Sequence, residues 1–121
     1  MIPKEQLRIG VNILHHNIIK RINTYSELYW AVTNWDREEI SPIPLTEEVL
    51  LKFRFFKMPY KMSGSEVRQR EKYRILMSFS GKYCLCIEGI SPATYMIAEF
   101  EYVHQLQNLY FDLTNEELLL D

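Results

Sequence analysis

The chain has 121 residues, with 14 basic against 16 acidic side chains for a formal net charge of -2, and 47% of its residues are apolar. That is ordinary for a single globular domain spanning residues 1–121, and it leaves no room for a second core. It excludes a wholly basic nucleic-acid binder and an acidic disordered tail, and two cysteines are too few for a disulfide scaffold.

The opening Met-Ile-Pro-Lys-Glu-Gln has no cationic start followed by an apolar run, so no secretory signal is expected. No apolar stretch nears the roughly 20 residues of a membrane helix, which makes a cytoplasmic location without membrane partners the expectation. A Gly-rich phosphate loop, a nucleophile elbow and internal repeats are all missing.

In residues 7–14, Leu7, Ile9, Val11 and Ile13 alternate with Arg8, Gly10 and Asn12, the period of a half-buried strand. Residues 18–24 and 28–33 read as two further strands on β-branched and aromatic content, with Tyr25-Ser26-Glu27 turning the chain between them. A helix competes within 12–34, but no clear 3.6-residue stripe supports it, which favours the meander. Ser41-Pro42-Ile43-Pro44-Leu45 is extended, since each proline restricts itself and its predecessor. Thr46 then caps a helix over 47–54, with Glu47 and Glu48 in the first turn, where the dipole favours anions. Leu45 and Leu50 have the spacing of a hydrophobic staple.

Residues 57–71, with Pro59, Ser63-Gly64-Ser65 and the charged run 68–72, read as a long loop. Strands over 73–80 and 82–88 meet at the hairpin signal Ser80-Gly81. After a turn at Gly89–Pro92, a strand over 95–101 turns Met96, Ala98 and Phe100 inward, and Glu99 and Glu101 outward. Val103, Leu106, Leu109, Tyr110 and Leu113 recur at three- and four-residue spacing, which predicts an amphipathic helix over 103–113. Thr114-Asn115-Glu116-Glu117 ends it, before a short strand at 117–120. About six strands and two helices, with helices after runs of strand, make the class α+β. The expected architecture is a small antiparallel sheet, open or barrel-like, shielded on one face by the helices.

The segments Leu7-Arg8-Ile9-Gly10, Ser41-Pro42-Ile43-Pro44-Leu45-Thr46-Glu47-Glu48 and Tyr102-Val103-His104-Gln105-Leu106-Gln107-Asn108-Leu109-Tyr110-Phe111, in this order, resemble a family of small uncharacterised proteins of Bacteroidetes phages and prophages, crAss-like phages included. The resemblance leaves about residues 55 to 95 uncovered. Arg54 stands where that family often has Gly after the helix, and Asp112 and Asn115 replace a commoner Ala and Gly. The resemblance implies a phage-encoded accessory protein of the host cytoplasm and transfers no activity to particular residues.

Chemistry concentrates first in residues 54–82. Arg54, Lys57, Lys61, Arg68, Arg70, Lys72, Arg74 and Lys82 face only Glu66 and Glu71 there, a local charge of +6 that leaves -8 for the remainder. Phe55, Phe56, Tyr60, Tyr73 and Tyr83 interleave with these cations. Basic groups attract phosphate and aromatic faces stack bases, so Lys57, Tyr60, Lys61, Arg68, Arg70, Lys72 and Arg74 are candidates for holding a nucleotide or other anionic small molecule, or a single strand. The plainer reading is a solvated loop and hairpin. Period two also puts 72 and 74 on one strand face and 73 on the other, which argues against all of them acting together.

The second candidate is the helix face of His104, Gln107, Asn108 and Phe111, whose amides suit base edges or a partner's backbone. The alternative is amides tying down neighbouring loops. His15 and His16 point apart on an extended segment, and no spacing assembles a triad or a metal set with His104, so no enzymatic activity, metal or cofactor is expected. Cys84 and Cys86 share a strand face and read as buried free thiols. Tyr29, Trp30 and Trp35 form an aromatic cluster in which an exposed tryptophan would mark a homo-oligomer contact. The leading expectation is a non-enzymatic accessory binding module of phage origin, sequestering a host nucleotide signal or other anionic ligand. A minor virion or assembly protein acting by self-association and a nucleic-acid binder are the alternatives.

Overall fold

A computed structural model describes residues 2, 4–33, 40–62, 64–77, 81–88 and 94–120. Contacts divide the chain into two compact units, Met1–Leu45 with Tyr102–Leu120, and Thr46–Glu101.

The first unit carries a three-stranded antiparallel sheet. Strand β1 (Asn12–His15) pairs with β2 (Ile18–Arg21) on one side and with β3 (Ile40–Ser41) on the other. His16 and Asn17, with φ of 50° and 63°, make the two-residue turn whose twist suits a tight hairpin. The strand expected from residue 7 starts only at Asn12. The chain turns at Ile9-Gly10, where Gly10 takes φ 107°.

The meander expected over 18–33 is corrected. Only β2 is strand, and helix α1 (Tyr25–Thr33) occupies the predicted turn and third strand. Thr24 Oγ1 accepts from the Glu27 amide at 3.1 Å, and the Glu27 carboxylate accepts from the Asn23 amide at 3.2 Å. These bonds satisfy amide groups that a helix start leaves open. Ala31 of α1 is buried in a cluster with Ile2, Leu7, Val11, Ile13, Ile22 and Ile40, with Leu28 and Trp30 packed against it.

Helix α3 (Val103–Thr114) forms where the periodicity predicts it, burying Val103, Leu106 and Tyr110. Its last turn is closed by Asn115, left-handed at φ 60°, whose amide donates to Phe111 O at 2.7 Å. No strand forms over 116–120. The backbone there instead turns a carbonyl, Leu118 O, toward the side chain of Gln107 at 3.0 Å.

The second unit begins with helix α2 (Glu47–Lys52), capped as expected by Thr46, whose hydroxyl accepts from the Val49 amide at 3.3 Å. Leu50 and Phe53 are buried, and Arg54, at φ 67°, turns the chain out of the helix. Five antiparallel strands follow in sequence order: β4 (Phe56–Met62), β5 (Ser65–Arg70), β6 (Tyr73–Met77), β7 (Tyr83–Glu88) and β8 (Thr94–Phe100).

The long loop expected over 57–71 is therefore a hairpin. Gly64, at φ 79°, lies in its turn. Pro59 is tolerated because β4 is an edge strand with an irregular register between Lys57 and Lys61. Charged residues suit such an edge because they oppose pairing with another chain. The β6–β7 hairpin forms as predicted, with Met77 opposite Tyr83 and Gly81 at φ 84°, while Ser80 and the turn at Gly89–Pro92 lie outside the described residues. On β8, Phe100 is buried and Glu99 exposed as expected.

The class is α+β. The expected single sheet of six strands with two helices is replaced, among the described residues, by sheets of three and five strands with three α-helices. The larger sheet is open, with β4 and β8 as its edges, and does not close into a barrel. No helix among the described residues is long and apolar enough to cross a membrane.

Candidate functional site

Register decides which of the basic residues meet. Directly opposed residues of antiparallel strands point to the same side. Lys57, Arg68, Ile75 and Leu85 form one cross-strand row, and Phe56, Gln69, Arg74 and Cys86 form the next, on the other face. Lys61 opposes Glu66 and so shares the face of Arg68. Arg70 opposes Tyr73 on that same face.

On that face the cations serve the fold. Arg68, with a side chain only 13% exposed, meets the carboxylates of Glu47 at 2.9 Å and Glu66 at 3.3 Å. Lys57 pairs with Glu66 at 3.1 Å, and this ammonium, with a smaller contribution from Arg68, holds the Glu66 carboxyl below its usual range. Arg70 donates to Phe53 O at 2.8 Å, at the C-terminal end of α2. A cleft of about 230 Å³ lies beside this group, with Leu50, Ile75 and Tyr83 in its wall, but its guanidinium already has two carboxylate partners. Lys82 pairs with Glu101 at 3.4 Å, and Lys61 is exposed.

On the other face Tyr60 and Arg74 come together. The Arg74 guanidinium lies 5.6 Å from the centre of the Tyr60 ring. Gln69 Oε1 accepts from both, at 2.9 Å from the Tyr60 hydroxyl and 3.2 Å from Arg74 Nε. The Gln69 amide nitrogen is anchored on Glu71 O at 2.6 Å. Phe56 stands beside Gln69 in the same row and is 54% exposed. The result is a small platform with two accessible aromatic rings and one oriented guanidinium. Such a surface can stack a base and fork two hydrogen bonds to a phosphate. Lys72 sits in the β5–β6 turn with its ammonium 5.7 Å from the ring of Tyr73, which lies on the face of Arg68 and Arg70.

On the same face as the platform lies an apolar patch of Val67, Leu76, Cys84 and Cys86, with Met58 and Met62 against it. Both cysteines are free and buried on one face, as their spacing predicts. Burial, with the neighbouring Cys84 adding to it, pushes the Cys86 thiol up to about 11, so it stays protonated and a poor nucleophile near neutrality.

The second predicted surface lies inside the first unit. His104 and Gln107 are buried. Gln107 bonds the Asn12 amide and side chain at 2.8 Å each, and Asn108 donates to Gln6 O at 3.0 Å. His104 Nε2 is 2.6 Å from Gln6 Oε1, and burial lowers its pKa to about 4, leaving a neutral ring. These groups tie down the chain's first residues. Phe111 is half-buried under the Arg8 guanidinium, 4.5 Å from its ring centre.

His15 and His16 lie with ring centres 4.2 Å apart, and His15 meets the edge of Trp30 at 4.8 Å. Trp30 is half-buried against the core cluster, and Trp35 lies outside the described residues. Tyr29, the third member of the expected aromatic cluster, is 74% exposed.

Sequence reasoning passed over Arg8 and Gln69, the two side chains that organise the polar clusters. Arg8 lies in the Leu7–Gly10 segment but has no chemical motif there, Gln69 lies in no motif, and the role of each is recognisable only through partners brought by the fold. Set against known proteins, the chain matches no family model, no curated protein and no solved structure.

Proposed function

We propose that the chain is a non-enzymatic binding module that holds a nucleotide or other phosphate-bearing ligand on its five-stranded sheet. The observation that carries this reading is the pairing of Arg74 with Tyr60 through Gln69, beside exposed Phe56. The base would stack on an aromatic ring and the phosphate would meet the guanidinium. A restrained guanidinium loses less conformational freedom on binding than a solvated one. The resemblance of three segments to phage proteins supports an accessory role in the host cytoplasm, and the basic-aromatic surface supports sequestration of a nucleotide signal as that role.

Calorimetry with mono-, di- and cyclic nucleotides tests this reading. Binding that is lost in Arg74→Met and in Tyr60→Ala supports it, and no heat with any nucleotide removes it. A nucleic-acid ligand would instead show affinity falling steeply with added salt as counterions are released.

Self-association is the second reading, and one observation favours it. Tyr25, Tyr29 and Val32, spaced four and three apart on α1, are exposed to 83%, 74% and 38%. Helical residues at that spacing share one face, and an uncovered apolar stripe of this kind suits a protein contact.

A further inference from the structure

The segments Leu7–Gly10 and Tyr102–Phe111, singled out in the sequence, meet in the first unit, where Arg8 donates to Asn108 Oδ1 and to Gln107 O at 2.9 Å. Beside this junction opens a groove of about 460 Å³, walled by Ile9, Leu28 and Phe111. Arg8, Arg21 and Glu117 also line it, two guanidinium groups against one carboxylate among the described residues.

The two arginines are not equivalent. Arg8 is fully engaged, on Glu117 Oε1 at 2.6 Å, Ile9 O at 2.8 Å, Gln107 O and Asn108. Glu117 Oε1 is thereby taken by Arg8, while Glu117 Oε2 is buried without a hydrogen-bond partner. Arg21 pairs with that oxygen at 3.8 Å, an ion-pair contact too long for a hydrogen bond, and its Nε is buried without a hydrogen-bond partner. The side chain of Arg21 is 28% exposed. Two guanidinium groups against one carboxylate leave the groove one net positive charge, and of the two Arg21 is the one without a side-chain hydrogen bond among the described residues. An under-satisfied guanidinium at a largely apolar wall is matched by one kind of ligand, an anion on an apolar body.

We propose that this groove takes a small apolar monoanion, a carboxylate on an aromatic or branched aliphatic body, with Arg21 holding the carboxylate and the body lying against Leu28 and Phe111. A single negative charge balances the groove, whereas a phosphate monoester would carry nearly two at neutral pH. The site is independent of the nucleotide reading, since none of its residues belongs to the five-stranded sheet.

The test is a titration of the full chain followed by amide resonances, using phenylacetate, its neutral analogue 2-phenylethanol and phenyl phosphate as probes. Phenylacetate should shift residues 8–10, 21–28 and 111, and bind at least roughly tenfold more tightly than 2-phenylethanol, as expected for a charge-assisted hydrogen bond. Arg21→Met should remove that preference. Tyr25→Glu should also weaken phenylacetate binding, by placing a competing charge at the exposed rim without disturbing the core. Equal binding of the neutral analogue, tighter binding of phenyl phosphate, shifts confined to residues 56–74, or no shifts at all would each overturn the proposal.

Discussion

Gln107 and Asn12, 95 residues apart, grip each other reciprocally: Gln107 Oε1 accepts from the Asn12 amide and Gln107 Nε2 donates to Asn12 Oδ1, each at 2.8 Å. The same Nε2 reaches Leu118 O at 3.0 Å, so one buried amide joins the first strand, the last helix and the chain's final residues. Gln107→Leu keeps the volume and removes every bond. It should leave the Asn12 amide buried without an acceptor and lower unfolding free energy by about 2–4 kcal/mol. Urea denaturation measures this. A loss below about half a kcal/mol would show that the network adds nothing beyond packing.

His104 makes stability depend on acidity. Its folded pKa of about 4 lies below the ordinary 6.5 because burial disfavours the charged ring. Between these values the unfolded chain binds a proton that the native chain refuses, so stability falls as pH drops from 6.5 to 4 and is unaffected above 6.5. The loss attributable to this residue should reach about 3 kcal/mol. Comparing wild type with His104→Gln across that window isolates it from the carboxylates. Parallel pH profiles would contradict the assignment.

Arg54 holds φ 67° at the end of α2. A residue with a Cβ is strained there and glycine is not, although glycine costs more backbone entropy. Arg54→Gly should therefore raise stability by about 0.5–1 kcal/mol, and Arg54→Val should lower it. Thermal melting of the two variants gives the answer, and opposite signs are the expected pattern.

Gln69 offers a cleaner probe of the binding platform than Arg74 itself. Gln69→Leu leaves Tyr60 and Arg74 in place but removes the acceptor that orients both. Nucleotide affinity should fall roughly tenfold with little change in melting temperature. Unchanged affinity would mean that the Tyr60–Arg74 pairing plays no part in binding.

Tyr29→Glu tests the exposed stripe of α1. Any concentration-dependent oligomer seen by sedimentation should dissociate in this variant, because a carboxylate at an apolar contact is desolvated without a partner. A wild-type chain that is monomeric at high concentration would remove the self-association reading.

The parts of the fold that were legible were those with local signals. Thr46 followed by two glutamates marks a helix start, and the stripe from Val103 to Leu113 marks a helix long enough to hold its period. Helix α1 was missed although Thr24 and Glu27 have the spacing of a capping box, because a nine-residue helix with one buried residue shows little stripe. The β4–β5 hairpin was missed because Pro59 interrupts β4 and β5 is mostly polar, and such strands look like loops until their partners are known.

By itself the sequence determined the α+β class, the N-cap of α2, the limits of α3 and a +6 charge between residues 54 and 82. These follow from interactions within a few residues, which period and capping chemistry report. Only the tertiary structure decided how that charge is used. Strand register sends Arg68 and Arg70 to one face, where Arg68 meets two carboxylates and Arg70 a helix carbonyl, and sends Arg74 to the other, beside Tyr60. It also decided that Gln107 is buried and that Arg8 is hydrogen-bonded to Glu117 while Arg21 reaches that carboxylate only at 3.8 Å. Those outcomes depend on contacts between residues well separated in the chain, from Tyr60 and Arg74 to Asn12 and Gln107, which no local pattern encodes.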